Sequence, residues 1–186
     1  MRLIFLGPPG VGKGTQAKRI CENFDVIHLS TGDILRAEIA ANSEIGNRAK
    51  SYINNGELVP DKVLLDIMDN RLRENDAQKG YLLDGFPRTI TQATGLAKIM
   101  KNITHSLDAT ISLTADEDQL VQRLINRGLE SGRSDDTPEV IRQRQKVYWD
   151  QTAPLLNYYQ TKKILKEVDG FGDIPEITNR ILKVLQ

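Results

Sequence analysis

The sequence predicts an α/β protein: a doubly wound parallel sheet of about five strands, with helices on both faces. Short apolar runs alternate with helical segments along the 186 residues, and this alternation is typical of parallel sheets. The first run passes directly into a glycine-rich loop and then into a helix, an order that gives such a loop chemical meaning. The last segment carries apolar residues at helical spacing, so the chain is expected to end in a helix packed on the sheet.

Strands are predicted where short apolar runs end at turn residues, over residues 2–6, 26–29, 81–83, 109–113 and 164–168. Helices are predicted over residues 13–24, 33–41, 45–54, 60–72, 89–100, around 120–125, 138–159 and 174–185. Pro60 and Pro138 each open one of these helices, because proline is well placed in a first helical turn. Residues 128–137 are polar, contain two glycines and lack apolar periodicity, so we predict a loop there.

The composition bounds the partners. Lys and Arg number 25 and Asp and Glu number 25, so no global basic field favours nucleic acid or an anionic membrane. No apolar run approaches the ~20 residues of a spanning helix, and no cleavable signal pattern is visible at the amino terminus. The single cysteine, Cys21, cannot form an internal disulfide or a thiolate cluster, which fits a reducing cytoplasm. We expect a cytoplasmic monomer that acts on small molecules.

Residues 7–15, Gly-Pro-Pro-Gly-Val-Gly-Lys-Gly-Thr, carry the strongest chemical signal. Glycines let the backbone curl around a phosphate with its N–H groups inward, and the following helix adds free N–H groups and the positive end of its dipole. Lys13 can reach the outer phosphates. Gly14 occupies the usual hydroxyl position of a P-loop and Thr15 follows it, so the usual hydroxyl contact to Mg²⁺ is not assured. The predicted phosphate-binding residues here are Gly10, Val11, Gly12, Lys13, Gly14 and Thr15.

This loop and five further segments together resemble the nucleoside monophosphate kinases, and among them most closely the short-lid adenylate kinases. The further segments are Leu-Ser-Thr-Gly-Asp at 29–33 with Arg36, Gly-Glu-Leu-Val-Pro at 56–60, Asp-Gly-Phe-Pro-Arg at 84–88, Gln92, and Ser-Gly-Arg-Ser-Asp-Asp at 131–136. The resemblance covers essentially the whole chain. It implies a single domain over 1–186, with a small helical lobe for the nucleoside monophosphate over about 30–59 and a short lid over about 126–136.

Phosphoryl transfer between two nucleotides needs fixed cations and positioned donors, and arginine suits this task because it stays charged and grips phosphate bidentately. The resemblance implies a catalytic set of Lys13, Arg88, Arg127, Arg133 and Arg144. It places Arg123 over the ATP base, Arg127 at the ATP phosphates and Gly172 against the ATP base, although Gly172 alone would be interpreted as a loop glycine. Asp135 and Asp136 either pair with arginines in the closed state or form a solvated turn.

The resemblance also implies an AMP site. Its residues are Thr31, Arg36, Glu57, Leu58, Val59, Gly85, Phe86, Pro87, Arg88, Gln92, Arg133 and Arg144. Gln92 has a donor and an acceptor on one amide, as the adenine edge requires, and Arg88 would hold the AMP phosphate. Thr31 is also interpretable as a helix N-cap, a role that can coexist with ligand binding.

Asp84 comes directly after a predicted strand, beside the phosphate loop of a doubly wound sheet. We assign it a water-mediated Mg²⁺ role, with Thr15 as a second candidate, because Mg²⁺ keeps several waters and takes few protein carboxylates. A turn-forming Asp before Gly85 is the alternative. Zinc is not expected, since the zinc cysteines of long-lid relatives are missing. His28 is interpreted as a satisfied core residue.

Three functions remain open at this point. An adenylate kinase moves the terminal phosphoryl of Mg-ATP onto AMP, giving two ADP and balancing the adenine nucleotides. A UMP or CMP kinase uses another acceptor, but such relatives usually carry alanine at the position of Thr31, so Thr31 and Gln92 favour AMP. A non-catalytic nucleotide sensor would keep the phosphate loop but could lose the acceptor-site arginines, which are present here.

Overall fold

The computed structural model describes residues 1–115, 117–131, 133 and 135–186, and for residues 117–119, 130 and 131 it describes the backbone alone. Within these residues, five parallel strands form one sheet in the order β2-β3-β1-β4-β5. The strands are β1 (Arg2–Leu6), β2 (Ile27–Ser30), β3 (Tyr81–Asp84), β4 (Ala109–Thr114) and β5 (Leu165–Asp169). The predicted fold class is confirmed, and the strand bounds differ from the prediction by one residue at most.

Helices fill the connections between the strands. They are α1 (Lys13–Phe24), α2 (Thr31–Ala40), α3 (Glu44–Asn54), α4 (Asp61–Leu72), α5 (Ile90–Asn102), α6 (Glu117–Ser131), α7 (Pro138–Val147), α8 (Pro154–Thr161) and α9 (Ile174–Leu185). A 3₁₀ turn spans Asn75–Gln78, and a π-helical stretch spans Tyr148–Thr152. No helix among the described residues is long and apolar enough to cross a membrane.

The central strand shows why the sheet is covered on both faces. Successive side chains of a strand point to opposite faces, and in β1 the side chains of Leu3 and Phe5 join one apolar cluster while Ile4 and Leu6 join the other. All four are at most 3% exposed. Helices α1 and α9 cover the first face, and α4, α5 and α8 cover the second. This double burial explains the continuous apolar run in the sequence.

The largest departures from the predicted helices lie in two segments. The loop predicted over 128–137 begins too early, because α6 continues through Gly128 to Ser131. Of the residues assigned to the lid, Gly132 and Ser134 lie outside the described residues. The long helix predicted over 138–159 is interrupted, because a π-helical stretch separates α7 from α8, which then extends to Thr161.

Candidate active site

The phosphate loop joins the carboxyl end of β1 to the first turn of α1. Gly12 occupies the position before α1 with φ of 96°, in the left-handed region that favours glycine. Beyond its chain neighbours, no atom of the described residues comes within 4 Å of the point where a Cβ at Gly12 would lie, so the backbone conformation, rather than crowding, requires this glycine. The open space beside it lets a ligand approach the backbone N–H groups at the helix start.

Lys13 lies at the first position of α1 and folds back over this loop. Its Nζ donates to the carbonyl oxygens of Gly7 and Pro8, at 2.6 and 3.0 Å. Burial is the main cause that lowers the pKa of Lys13 to about 8; Asp84 opposes the shift, and the charges of Arg88 and Arg144 contribute to it. A buried ammonium is strongly stabilised when an anion approaches, because the anion replaces the favourable interaction with water that burial removed.

Most of the predicted site residues line one cleft of about 980 Å³ at the carboxyl edge of the sheet. They are Gly10, Val11, Gly12, Lys13, Gly14, Thr15, Thr31, Arg36, Glu57, Leu58, Val59, Asp84, Gly85, Arg88, Arg123, Arg127, Arg133, Arg144 and Gly172. Seven of these are cations, gathered in a chain whose formal net charge is zero. The cleft is therefore a local anion site built without a global basic field.

Three of the predicted acceptor-site residues are tied together at one carbonyl. Gly85 O accepts from Thr31 Oγ1 at 2.9 Å and from Arg88 Nε at 2.8 Å. A Cβ at Gly85 would lie 3.0 Å from both Thr31 Oγ1 and an Arg88 terminal nitrogen, so a larger residue would disrupt these two hydrogen bonds. Burial, then the neighbouring Arg144, lower the pKa of Arg88 to about 10, and the guanidinium still remains charged at neutral pH.

Arg127 and Arg144 converge on one carboxylate. Arg127 donates to both oxygens of Asp136 at 2.7 Å, and Arg144 donates to the same carboxylate at 2.6 Å. Arg144 also contacts the carboxylate of Asp135 at 3.0 Å. The Asp136 side chain is 0% exposed, so both aspartates pair with arginines in this structure and the solvated turn is wrong.

A second acidic residue bridges two predicted ligand arginines. Arg36 pairs with Asp33 three residues earlier on α2, and an Arg133 guanidinium nitrogen lies 3.7 Å from the same carboxylate. Burial and the nearby charges of Arg36 and Arg127 lower the pKa of Arg133. Asp33 therefore links the helical segment after β2 to the residues that follow α6.

Asp84, the last residue of β3, faces the phosphate loop. Its Oδ2 lies 3.3 Å from His28 Nε2 and 3.6 Å from the point where a Cβ at Gly14 would lie. Burial by itself would raise the pKa of this carboxyl, but the hydrogen bond from His28 and the charge of Lys13 hold it below its ordinary value. Asp84 is therefore an ionised carboxylate at neutral pH.

His28 is a site residue that the sequence analysis did not predict. It has a partner, as predicted, but that partner is Asp84, and His28 lines the cleft rather than the core. The strand register explains this contact. Ser30 pairs with Asp84 across β2 and β3, and His28, two residues earlier, lies on the same face as Ser30. Thr31 is not the N-cap of α2, because Ser30 is, with its Oγ accepting from Asp33 N at 3.3 Å.

Three predicted AMP-site residues lie behind the cleft wall. Phe86 is fully buried in the apolar cluster under α4 and α5. Pro87 lines a smaller adjoining cavity of about 60 Å³. Gln92 is 0% exposed: its Oε1 accepts from Arg88 N at 2.7 Å and its Nε2 donates to Asp61 Oδ1 at 2.7 Å.

The parallel sheet, its glycine-rich loop and the cations gathered at its carboxyl edge define a P-loop phosphotransferase of the nucleoside monophosphate kinase class. A family model described as adenylate kinase matches residues 5–164. The chain belongs to the adenylate kinase family.

Curated relatives agree with this assignment over full length. An adenylate kinase of Stenotrophomonas maltophilia is 47% identical over 186 residues, covering 100% of both chains. Adenylate kinases of Nocardioides sp. and Prochlorococcus marinus are each 48% identical, over 185 and 184 residues, covering 97% and 96% of those relatives.

Proposed function

We propose that the chain transfers the terminal phosphoryl group of ATP reversibly to AMP and forms two ADP. The observation that carries the proposal is the gathering of Lys13 and six arginines around one cleft at the phosphate loop. Phosphoryl transfer asks a protein for positioning and charge neutralisation rather than covalent chemistry, and this cleft supplies both.

The donor ATP would lie on the phosphate loop. Lys13 Nζ, which donates to two loop carbonyls, would exchange them for phosphate oxygens, and the N–H groups at the start of α1 would hold the same phosphates. Arg123 is exposed on α6 and Gly172 follows β5, and both line the part of the cleft where the ATP base would lie. The name adenylate kinase, which the similar proteins carry, supports this choice of nucleotide.

The residues present fit Mg²⁺. Asp84 is an ionised carboxylate that borders the loop at Gly14, and Thr15 is exposed on the same cleft. Asp84 would hold the ion through water, with the Thr15 hydroxyl as a second contact, and the bound ion would neutralise the charge on the transferring phosphates. His28 would keep the carboxylate aimed at that position. The described residues contain no group of three or more metal-ligating side chains that would suit another ion.

The acceptor AMP would be held by Thr31, Gly85 and Arg88, which are joined at the Gly85 carbonyl. Arg88 would bind its phosphate, Thr31 and residues 57–59 would line the nucleoside, and Gln92 would read the base edge. Arg36 would guide the same phosphate. Arg127, Arg133 and Arg144 would close over the transferring group, exchanging Asp136 and Asp33 for phosphate oxygens as developing charge appears.

We further propose that the single domain carries two parts that move against the core. These are the acceptor lobe over about 30–59, built from α2 and α3, and the short lid over about 126–136. Their closure would exclude water, which would otherwise take the phosphoryl group. A cytoplasmic monomer stays our prediction, and light scattering after size-exclusion chromatography tests the oligomeric state.

Acceptor preference tests the function. The purified chain is given Mg-ATP with AMP, UMP, CMP or GMP, and ADP formation is followed. Rapid turnover with AMP alone is expected. A preference for UMP or CMP would keep the phosphate-handling argument and overturn the base-recognition one, and binding of ATP and AMP without turnover would indicate a sensor.

A further inference from the structure

Asp61 begins α4, outside every motif on which the site was predicted. Its carboxylate accepts from two donors at a neighbouring helix start: Gln92 Nε2 at 2.7 Å, and the Thr89 hydroxyl, whose single proton is shared between the two oxygens at 3.1 Å each. Thr89 Oγ1 in turn accepts from Gln92 N at 3.0 Å, which makes Thr89 the N-cap of α5. Asp61, Thr89 and Gln92 therefore form a closed network joining α4 to α5.

The network gives the Gln92 amide one orientation. An ionised carboxylate only accepts and a backbone N–H only donates, so the amide NH₂ must face Asp61 and its oxygen must face Arg88 N. The reversed amide would place donor against donor and acceptor against acceptor. With Gln92 0% exposed, water cannot relieve either clash. The chemistry of the partners thus determines the orientation.

The oriented amide still has one N–H and one oxygen lone pair to offer. A 6-aminopurine presents an amino donor and a ring-nitrogen acceptor, which match that pair, whereas a 6-oxopurine presents an acceptor and an N–H donor in the opposite order. The cleft reaches Leu58, Val59 and Leu64, the last one turn along α4 from Asp61, so an acceptor base bound on this side of the cleft would lie next to the network. A fixed amide can therefore distinguish the two classes of purine, and a loose one cannot.

We propose that Asp61 is a specificity-determining positioning residue: it holds the Gln92 amide in the orientation that selects a 6-aminopurine over a 6-oxopurine acceptor. This inference rests on the proposed function, in which Gln92 reads the acceptor base.

The experiment compares kcat/KM for AMP with kcat/KM for IMP, the 6-oxo analogue, on the same preparation. The concentration of folded enzyme cancels in this ratio, so a partly unfolded variant can still be compared with the wild type. Asp61→Ala is expected to lower the AMP:IMP ratio on the order of tenfold, by lowering the AMP value and leaving the IMP value nearly unchanged. Asp61→Asn keeps an acceptor oxygen and is expected to restore most of the ratio while losing the charge.

Asp66→Ala is the matched control, because it removes an exposed carboxylate from the same helix and should leave the ratio unchanged. Thr89→Val is the second variant if Asp61→Ala yields no folded protein, and it should lower the ratio in the same direction. In a Gln92→Ala background, Asp61→Ala should change the ratio no further.

Two outcomes overturn the inference alone. In the first, Gln92→Ala loses selectivity while Asp61→Ala lowers kcat/KM for AMP and for IMP by the same factor, as the loss of a merely structural residue would. The other is an Asp61→Ala effect that persists without Gln92. If Gln92→Ala itself leaves the ratio unchanged, base reading by Gln92 and the role of Asp61 both fail, whereas failure of the whole proposed function would appear as no phosphorylation of AMP.

Discussion

Lys13 illustrates how the site is built at the scale of one residue. Its charge is buried beside Arg88 and Arg144, and the two loop carbonyls and Asp84 compensate this only in part, as the lowered pKa of about 8 records. A residue kept in such a position stabilises a bound anion more than it stabilises the fold. Two predictions follow from this balance.

Lys13→Ala should lower kcat on the order of 10²–10³-fold, because one fixed donor to the transferring phosphates is lost. The Tm should change little, since the side chain's hydrogen bonds go only to its own loop. Steady-state kinetics and thermal unfolding measure both. Lys101→Ala, an exposed lysine near the end of α5, is the control and should alter neither. Retention of most activity by Lys13→Ala would refute the role.

The pH dependence of stability provides a second test of Lys13. Its pKa is about 8 in the folded chain against 10.5 when unfolded, so between these values the unfolded chain binds more protons. The free energy of unfolding of the wild type should therefore rise relative to that of Lys13→Met as pH increases from about 8 to 10.5. Denaturant unfolding at several pH values measures the difference, and a difference that stays flat or falls over this window would contradict the account.

At the scale of elements, the segment from α6 to α7 depends on the Asp136 carboxylate. Asp136 holds Arg127 of α6 and Arg144 of α7 through charge-assisted hydrogen bonds, and its side chain is 0% exposed. The carboxylate therefore fixes the end of α6 against α7. The same arginines line the cleft, so their present pairing competes with any phosphate that binds them.

Asp136→Asn should destabilise the fold by roughly 1–3 kcal/mol, because a buried acceptor of two arginines loses its charge. Burial alone would raise the pKa of this carboxyl, but the hydrogen bond and charge of Arg127 lower it, so its contribution is lost as pH falls through that lowered pKa. Denaturant unfolding near neutral and at acid pH measures both effects. Asp76→Asn breaks an exposed bidentate pair with Arg71 and should have little effect; equal losses from the two variants would contradict this interpretation.

The element scale also shows where sequence reasoning stopped. The polar residues and glycines after residue 127 predicted a loop, yet a glycine costs a helix only about 1 kcal/mol relative to alanine. The buried Leu120 and Leu124 and the paired Arg127 anchor α6 up to Gly128, and the helix continues through it. The π-helical stretch places Thr152 so that its hydroxyl donates to Arg88 O at 2.9 Å, a contact between residues 64 positions apart. Strands and the phosphate loop follow from local sequence patterns and were predicted. These tertiary contacts join distant positions, so no local pattern predicts them.

The same distinction applies to the site. The motif positions predicted most of the residues that line the cleft. The partners of those residues were not predictable, because Asp61 meets Gln92 across 31 positions and His28 meets Asp84 across 56. Residues that act on a ligand leave a motif, while residues that hold them in place are recognisable only once the helices are packed.

At the scale of the whole molecule, a chain with no net charge concentrates cations at one edge of its sheet. The elements of the cleft come from widely separated parts of the sequence: the hydrogen-bonded group at Gly85, the phosphate loop, and the arginines of α6 and α7. The fold brings them to one cleft because the carboxyl ends of parallel strands meet at the same edge. In the function we propose, this cleft would hold two sets of phosphates close together, and its arginines would displace water around the transferring group.

The stoichiometry of phosphoryl transfer tests this account most directly. ³¹P NMR of the wild-type chain with Mg-ATP and AMP follows ADP and free phosphate together. The account predicts two ADP formed for each ATP consumed, with no appreciable phosphate release, and the reverse reaction when ADP alone is supplied. Phosphate released in step with ATP loss, or no ADP formed by a folded chain that binds both nucleotides, would contradict it.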